Sequence, residues 1–390
     1  MPRPMHQALF FGIVAILWIG LHLYLYHRVA AAFDLGSRAR LVFKVALPVM
    51  ASWYLLGRLL QTRVDADLGT VVLWPGALYL GFFSVGVSLL LLYDLGFHGP
   101  CRLLVRLGLV SNPDAFDLQP ISRYAIGVIG SLTLAVGGYG VFEAWRGPSV
   151  RSFEVSLRGL PRAMDGVRVV QASDLHVGGL VTRAYLDRVL ELVSSLEPDL
   201  LVWTGDLTDE KDGGDGEVLS RIASIRARLG VFVVMGNHEY YVGASRTVAA
   251  FERAGFTVLR QDHREVGDGL IVAGVDDPSF LGGRENAAEA VRAALRDVPE
   301  DRPAILLSHQ PVAIEEAAAA GVDLMLCGHT HGGQVFPFHV VSRLAYGVLT
   351  GMHRIGDMTL ILSNGAGFWG PPMRILAPPD VVVVTLRRAD

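Results

Sequence analysis

Apolar residues run almost unbroken through four stretches of the first 146 residues, at 8–26, 41–60, 71–93 and 121–142. Each approaches the ~20 residues with which a helix crosses ~30 Å of hydrocarbon. The breakers they contain (Pro48, Pro75, Gly130, Gly137 and Gly138) are tolerated better in lipid than in soluble helices. The pattern predicts four transmembrane helices. Arg3 ahead of the first stretch and Ala30-Ala31-Ala32 behind it also fit a cleaved signal peptide. Its apolar core is longer than such peptides carry and three more spans follow, so an uncleaved anchor is the better reading. His22 and His27 read as a polar helix end near the membrane interface.

Past the breaker Arg146-Gly147-Pro148-Ser149 the pattern changes. Short β-branched runs now alternate with segments of helical spacing, such as Leu186, Val189, Leu190 and Val193. This predicts a four-span transmembrane domain over 1–146 and an α/β domain over 147–390 with largely buried strands. Five runs end in side chains able to bind metal. "VRVVQASD" ends at Asp174, "DLLVWTGD" at Asp206, "GVFVVMGNH" at Asn237 and His238, "AILLSH" at His309, and "VDLMLCGH" at His329. Ligands of such sheets gather beyond the carboxyl ends of the strands, so five endings of this kind point to one site.

Charge sharpens the division. Residues 1–150 hold 11 Lys and Arg against 7 Asp and Glu, while the rest holds 23 against 31. An acidic second half argues against nucleic acid as a partner, which needs a basic stripe. Two distant cysteines, Cys101 and Cys327, make no disulfide framework and no CxxC motif. Arg28, Arg38, Arg40, Arg102, Arg106 and Arg123 bound the first and third connections, against Arg3, Arg58, Arg63, Arg146 and Arg151 on the other side. By six to five, the positive-inside rule puts the second domain outside the cytoplasm of a multi-pass plasma (inner) membrane protein. "CRLLVRLGLV" (101–110), with arginines four apart, reads as a helix along the membrane surface. "TDEKDGGDGE" (208–217) lacks the order of a calcium loop and reads as a solvated loop.

Singly, each metal-competent residue has an ordinary explanation: Asp174 and Asp206 as caps, Asn237 as a turn former, His309 as a strand end before Gln310-Pro311. Jointly they read Asp174-x-His176, Gly205-Asp206-x-x-Asp209, Gly236-Asn237-His238-Glu239, Ser308-His309 and Gly328-His329-Thr330-His331. These five blocks, in this order, resemble the calcineurin-like metallophosphoesterases over about residues 165–390. "GHTHGGQV" and the closing "PPMRILAPPDVVVVTL" are similar to bacterial, membrane-attached members. The resemblance implies an αββα sandwich and a dinuclear metal centre. By it, Asp174, His176 and His331 would hold the first metal, and Asn237, His309 and His329 the second. Asp206 would bridge both, and His238 would stand by the substrate phosphate.

The chemistry suits that assignment. Two metals ~3.5–4 Å apart supply a hydroxide near neutral pH and neutralise the phosphoryl oxygens. Mixed imidazole and carboxylate ligands favour Mn, Fe or Zn over Mg. Asp209 is expected to orient a histidine or cap a turn, and Gln334 to meet substrate or tie down its loop. Tyr240, Tyr241, Phe280, Phe368 and Trp369 are rim or core aromatics; Asp276-Asp277 receives no chemistry. The expected activity is hydrolysis of a phosphodiester or pyrophosphate, with a lipid-linked substrate among the candidates. The competing reading is a catalytically silent metal-binding sensor coupled to the membrane bundle.

Overall fold

The computed structural model describes residues 3–63, 66–109, 118–209, 216–282 and 284–389. The chain divides into two compact units, Met1–Tyr139 and Gly140–Asp390. Within the first, α1 (Arg3–Ala32), α2 (Ser37–Arg63) and α3 (Ala66–Tyr93) are long helices. A π-helical turn over Asp94–His98 carries the chain from α3 straight into α4 (Gly99–Arg106), so most of the 101–110 segment prolongs the third span; residue 110 lies outside the described residues. The last long helix, α5 (Leu118–Trp145), runs into the second unit. Among the described residues, four helical segments are long and apolar enough to cross a membrane.

Small residues set the packing of α2 on α3: a Cβ on Gly57 would lie 2.5 Å from Leu73 Cα, and one on Gly76 would lie 2.5 Å from Tyr54 N. Part of the buried polarity in this unit is paired. Asp94 accepts from Tyr24 Oη and Arg28, each at 2.7 Å. His22 departs from the sequence reading, because it is buried rather than at a polar helix end. Its ring stacks on Phe83 at 4.0 Å and its Nδ1 meets Trp18 O at 2.7 Å, which lets an imidazole sit among apolar neighbours.

The second unit is built on two six-stranded sheets. The strands are β1 (Ser149–Leu157), β2 (Arg168–Ala172), β3 (Leu200–Trp203), β4 (Val231–Val233), β5 (Thr257–Val258), β6 (Asp262–Val266), β7 (Leu270–Gly274), β8 (Ala304–Leu307), β9 (Leu324–Cys327), β10 (Gly351–Ile355), β11 (Met358–Leu362) and β12 (Asp380–Arg388). One sheet has the order β1-β12-β2-β3-β4-β5 and the other β10-β11-β9-β8-β7-β6. Neighbours β2, β3, β4 and β5 are parallel, as are β7, β8, β9 and β11. β3, β8 and β9 are buried along their whole length, as parallel strands covered on both faces must be.

Between the sheets Val169, Val202, Val234 and Val384 face Val272, Ile305, Leu324, Leu326 and Ile361 in one apolar layer. The linking helices are α6 (Arg183–Ser195), α7 (Gly216–Ile222), α8 (Asn237–Ala254), α9 (Pro278–Leu281), α10 (Arg284–Ala294), α11 (Ile314–Ala319) and α12 (Phe338–Tyr346). α10 and α11 cover the outer face of the second sheet, where Ala287, Val291 and Ala317 meet Leu306, Met325 and Leu360. α6 buries Leu186, Val189 and Val193 on one stripe. The fold is the expected α/β sandwich of two mixed sheets. Of the acidic 208–217 loop, residues 210–215 lie outside the described residues.

The inter-sheet layer fixes how the strand ends meet. Leu326→Ala, removing a fully buried side chain there, should cost about 3 kcal/mol and lower the thermal midpoint of the detergent-purified chain by about 9 °C. Val150→Ala, on the exposed side of β1, should leave it within about 0.5 kcal/mol.

Candidate metal centre

The five predicted strand endings converge. Asp174 and His176 follow β2, Asp206 and Asp209 follow β3, and Asn237 and His238 open α8 after β4. All of these come from the first sheet, whereas His309 follows β8 and His329 and His331 follow β9 in the second. The side chains meet where the sheets abut. The backbone turns hard at three of the endings, those of β2, β3 and β9: Asp174, His176, Asp206, His329 and His331 all take positive φ, between 51° and 69°. A non-glycine residue in this left-handed region costs about 1 kcal/mol or more, and five at one site mark a place where geometry outweighs local comfort. The turns are pinned by hydrogen bonds, Asp174 N to Gly205 O, His176 N to Asp206 O and His329 N to Asp174 Oδ2, at 3.0 Å each. The glycines are needed for close approach. A Cβ on Gly236 would lie 2.1 Å from Asp206 Oδ1, and one on Gly328 would lie 2.0 Å from Ser173 Oγ.

Each histidine has one ring nitrogen tied to a partner and turns the other inward. His176 and His238 donate from Nδ1 to the same atom, Asp209 Oδ1, at 2.9 and 2.6 Å. His309 Nδ1 donates to Thr204 O at 2.8 Å, which turns its Nε2 toward the cluster. His329 Nε2 meets Tyr346 Oη at 2.9 Å, and the Tyr346 hydroxyl donates onward to Gln310 Oε1. His331 Nδ1 accepts from Arg374 at 3.0 Å. The inward nitrogens crowd together: His176 Nε2 lies 3.1 Å from His331 Nε2, and His309 Nε2 lies 3.2 Å from His329 Nδ1. Outer partners that fix tautomer and orientation in this way are what metal-binding histidines use.

Two buried carboxylates complete the set. Asp206 Oδ2 lies 3.2 Å from His309 Nε2 and 3.8 Å from His176 Nε2, and its Oδ1 accepts from His238 N at 2.9 Å. Burial disfavours its charge, but His309, His238 and His176 together hold its pKa well below the ordinary carboxylate range. Asp174 is also held far below it against burial, chiefly by His331. Burial opposes the charged form of His238, yet Asp206 and Asp209 raise its pKa to about 9. His331 is pulled down to about 4 by burial, helped by the Arg374 guanidinium.

The atoms sort into overlapping triads whose ligand atoms lie within 4.8 Å of one another. One is Asp174, His176 and His331; a second is Asp206, His309 and His329; a third, His176, Asp206 and His238, joins them. Asn237 Oδ1 lies 3.2 Å from His309 Nε2, beside the second triad. Carboxylate oxygens, imidazole nitrogens and one amide oxygen, all nearly buried, fit a pair of divalent cations.

Several supporting residues escaped the sequence reading. Glu239 is fully buried, and its carboxylate accepts from the backbone N–H of Gly236, Asp206 and Leu207 at 2.7–2.9 Å. Burial and the Asp206 charge push its pKa up to about 7. Arg374, also fully buried, donates to His331 O and Asn364 O at 2.8 Å each, and to Gly367 O. Burial lowers its pKa to about 10, so it stays charged at neutral pH. Gln334 ties its loop, donating to Trp369 O and Pro371 O and accepting from Trp369 N. Among the aromatics, Phe368 is buried against Trp145 and Tyr185. Tyr241 and Trp369 approach His238 at 5.4 and 5.7 Å between ring centres, and Tyr240 stacks on Phe280 at 4.4 Å. Asp276 pairs both oxygens with Arg260, while Asp277 caps α9 and holds Gln310.

Two mixed sheets whose ends gather histidines and aspartates define a metal-dependent phosphoester hydrolase. Residues 167–333 match the sequence profile of the calcineurin-like phosphoesterases. An uncharacterized metallophosphoesterase of Aquifex aeolicus is 35% identical over 260 residues, which are 66% of this chain and 98% of that protein. One from Helicobacter pylori is 34% identical over 258 residues, covering 65% and 68%. A transmembrane protein with metallophosphoesterase domain from Danio rerio is 31% identical over 328 residues, covering 80% and 74%. The chain belongs to the calcineurin-like metallophosphoesterase family, which uses a dinuclear metal site.

Asp209 links the two triads that share His176 through a single oxygen. Asp209→Asn should weaken metal retention about 10- to 100-fold, measured as metal per chain after dialysis against graded chelator. Full retention would show that the two histidines hold their places without it.

Proposed function

We propose that the second unit hydrolyses a phosphodiester or pyrophosphate at two divalent metals, with a lipid-borne phosphoester as the favoured substrate class. The observation that carries this reading is the set of inward ring nitrogens and carboxylate oxygens, complete at every position the family motif requires. Asp174, His176 and His331 would hold one metal, and Asn237, His309 and His329 the other, with Asp206 between them. Manganese, iron or zinc suits these ligands better than magnesium. When bound, the metal pair offsets the charge of the phosphoryl oxygens and makes a water nucleophilic near neutral pH. The new P–O bond forms to the water oxygen as the P–O bond to the leaving group breaks.

His238 supplies the remaining requirement. Its Nδ1–H is fixed on Asp209, which leaves Nε2 facing the cluster, 4.0 Å from Asp206 Oδ2. With its pKa raised to about 9, the ring is protonated at neutral pH and can pass a proton to the leaving oxygen. Asp206 and Asp174, buried and ionised, keep neighbouring imidazoles in place without competing for that proton. Four spans attach this chemistry to a membrane, and the six-to-five arginine asymmetry favours the side away from the cytoplasm.

Purified full-length protein with Mn²⁺ should hydrolyse bis-p-nitrophenyl phosphate, and chelator should abolish the activity. His238→Ala should lower kcat by about 10²- to 10⁴-fold while keeping its metals; equal inactivity of wild type and variant on a phosphoester panel would sink the proposal. The rate should also fall on the alkaline side as His238 loses its proton. Because Asp209 raises that pKa, Asp209→Asn should move the fall to lower pH.

A further inference from the structure

α12 is built inside out. A surface helix normally buries its apolar stripe and exposes its polar one. Here the polar residues His339, Ser342 and Tyr346 are half-buried, while Phe338, Val340, Val341 and Leu344 are exposed. Leu344 keeps 82% of its surface. The inward polar face is bonded: His339 Nε2 donates to Ile375 O at 2.8 Å, and Tyr346 Oη meets His329 at 2.9 Å. Arg343 is the only charge on the helix.

A second apolar element adjoins it. The 369–376 loop exposes Trp369 and Leu376, the latter 85% exposed and held at φ 58°. A leucine in a left-handed conformation, pointing outward, is strained twice over. Gln334 O accepts from Ile375 N at 2.8 Å, so this loop and the start of α12 are tied together. Trp369 carries the patch to His238, and Tyr346 carries α12 to His329.

What covers this surface is indicated by the neighbouring chain. Arg374 N donates to Gly140 O at 2.8 Å, and a Cβ on Gly140 would lie 2.6 Å from Met373 Cγ. Gly140 lies in the last turns of the apolar segment Leu118–Trp145, long enough to cross a membrane, and those turns belong to the second unit. Phe368 packs on Trp145 in the same corner. The loop therefore hangs on the point where the chain leaves its last span, and headgroup depth is where an outward apolar helix with one snorkelling arginine is stable.

We propose that α12 and the 369–376 loop form a bilayer-docking flap that presents the metal cluster to phosphoesters carried by lipids of the same membrane. The docking half stands on the surface alone; the substrate half rests on the hydrolase reading.

The test uses the full chain with Cys101→Ala, reconstituted in nanodiscs of phosphatidylethanolamine and phosphatidylglycerol. Nitroxides are attached at Leu344→Cys, at Leu376→Cys and at Glu252→Cys, the last near the far end of the helix that begins at Asn237. Collision with oxygen should exceed collision with Ni-EDDA at 344 and 376, and the reverse should hold at 252. Water-like accessibility at 344 and 376 would overturn docking. Shielding from both colliders would also overturn it, assigning the face to protein, and to a second copy if dipolar broadening grows with chains per disc. For the substrate half, a dioleoyl p-nitrophenyl phosphodiester in the disc is compared with soluble bis-p-nitrophenyl phosphate, which shares its leaving group. The wild type should favour the lipid-borne ester, and Leu344→Glu should lower that preference by about tenfold, as expected from losing one buried leucine. No lipid preference in an active wild type overturns the substrate half. No hydrolysis of either ester removes the hydrolase reading, while the collision data still decide docking.

Discussion

A carboxylate cannot be buried alone, and Asp206 is buried at the meeting point of two sheets. Its surroundings follow from that. His309 and His176 approach one oxygen, the N–H of His238 binds the other, and the glycine at 236 lets the backbone come near enough. Glu239 is satisfied instead by four backbone N–H groups, those of Gly236, Asp206, Leu207 and Thr208. Two anions thus sit within one loop cluster because their donors are separated. Imidazoles face one carboxylate and main-chain amides face the other.

The same logic explains the left-handed backbone. Side chains that converge on one point as β2, β3 and β9 end require sharp turns there, and few backbone conformations make them within two residues. The structure supports these conformations from outside the cluster. Arg374 gathers carbonyls from His331, Asn364 and Gly367, which brings the loops after β9 and β11 under one guanidinium. Burying that cation is costly. Satisfied on several sides, it holds in place the histidine beside it.

How much of this was legible in the sequence depends on the range of the interaction. Strand endings are local: a β-branched run that stops at Asp206 or His329 shows both its burial and its polar terminus within ten residues. The α/β pattern and the clustering of metal-competent strand endings could be read at that range; the two-sheet arrangement came from the family resemblance. Glu239 and Arg374 could not, because what they do depends on backbone groups brought near only by the fold. Arg374 meets His331 from 43 residues away. His22 shows the converse: an imidazole in an apolar stretch reads as an interface group, yet it is buried, stacked on Phe83 and bonded to a carbonyl one turn back. The α12 segment has clear helical spacing, but periodicity does not say which face turns inward.

β12 lies between β1 and β2, parallel to the first and antiparallel to the second. Residues 380–388 are made after every other strand, yet they occupy an interior position of the sheet from which Asp174, Asp206 and His238 project. Asp380 also accepts from Ser363 Oγ and Asn364 N, below the loop that Arg374 clasps. On the ribosome, the β2–β5 strands can pair as they emerge, but the sheet stays split from β1 until residues 380–388 insert. Order of synthesis and order of assembly therefore run in opposite directions at this strand.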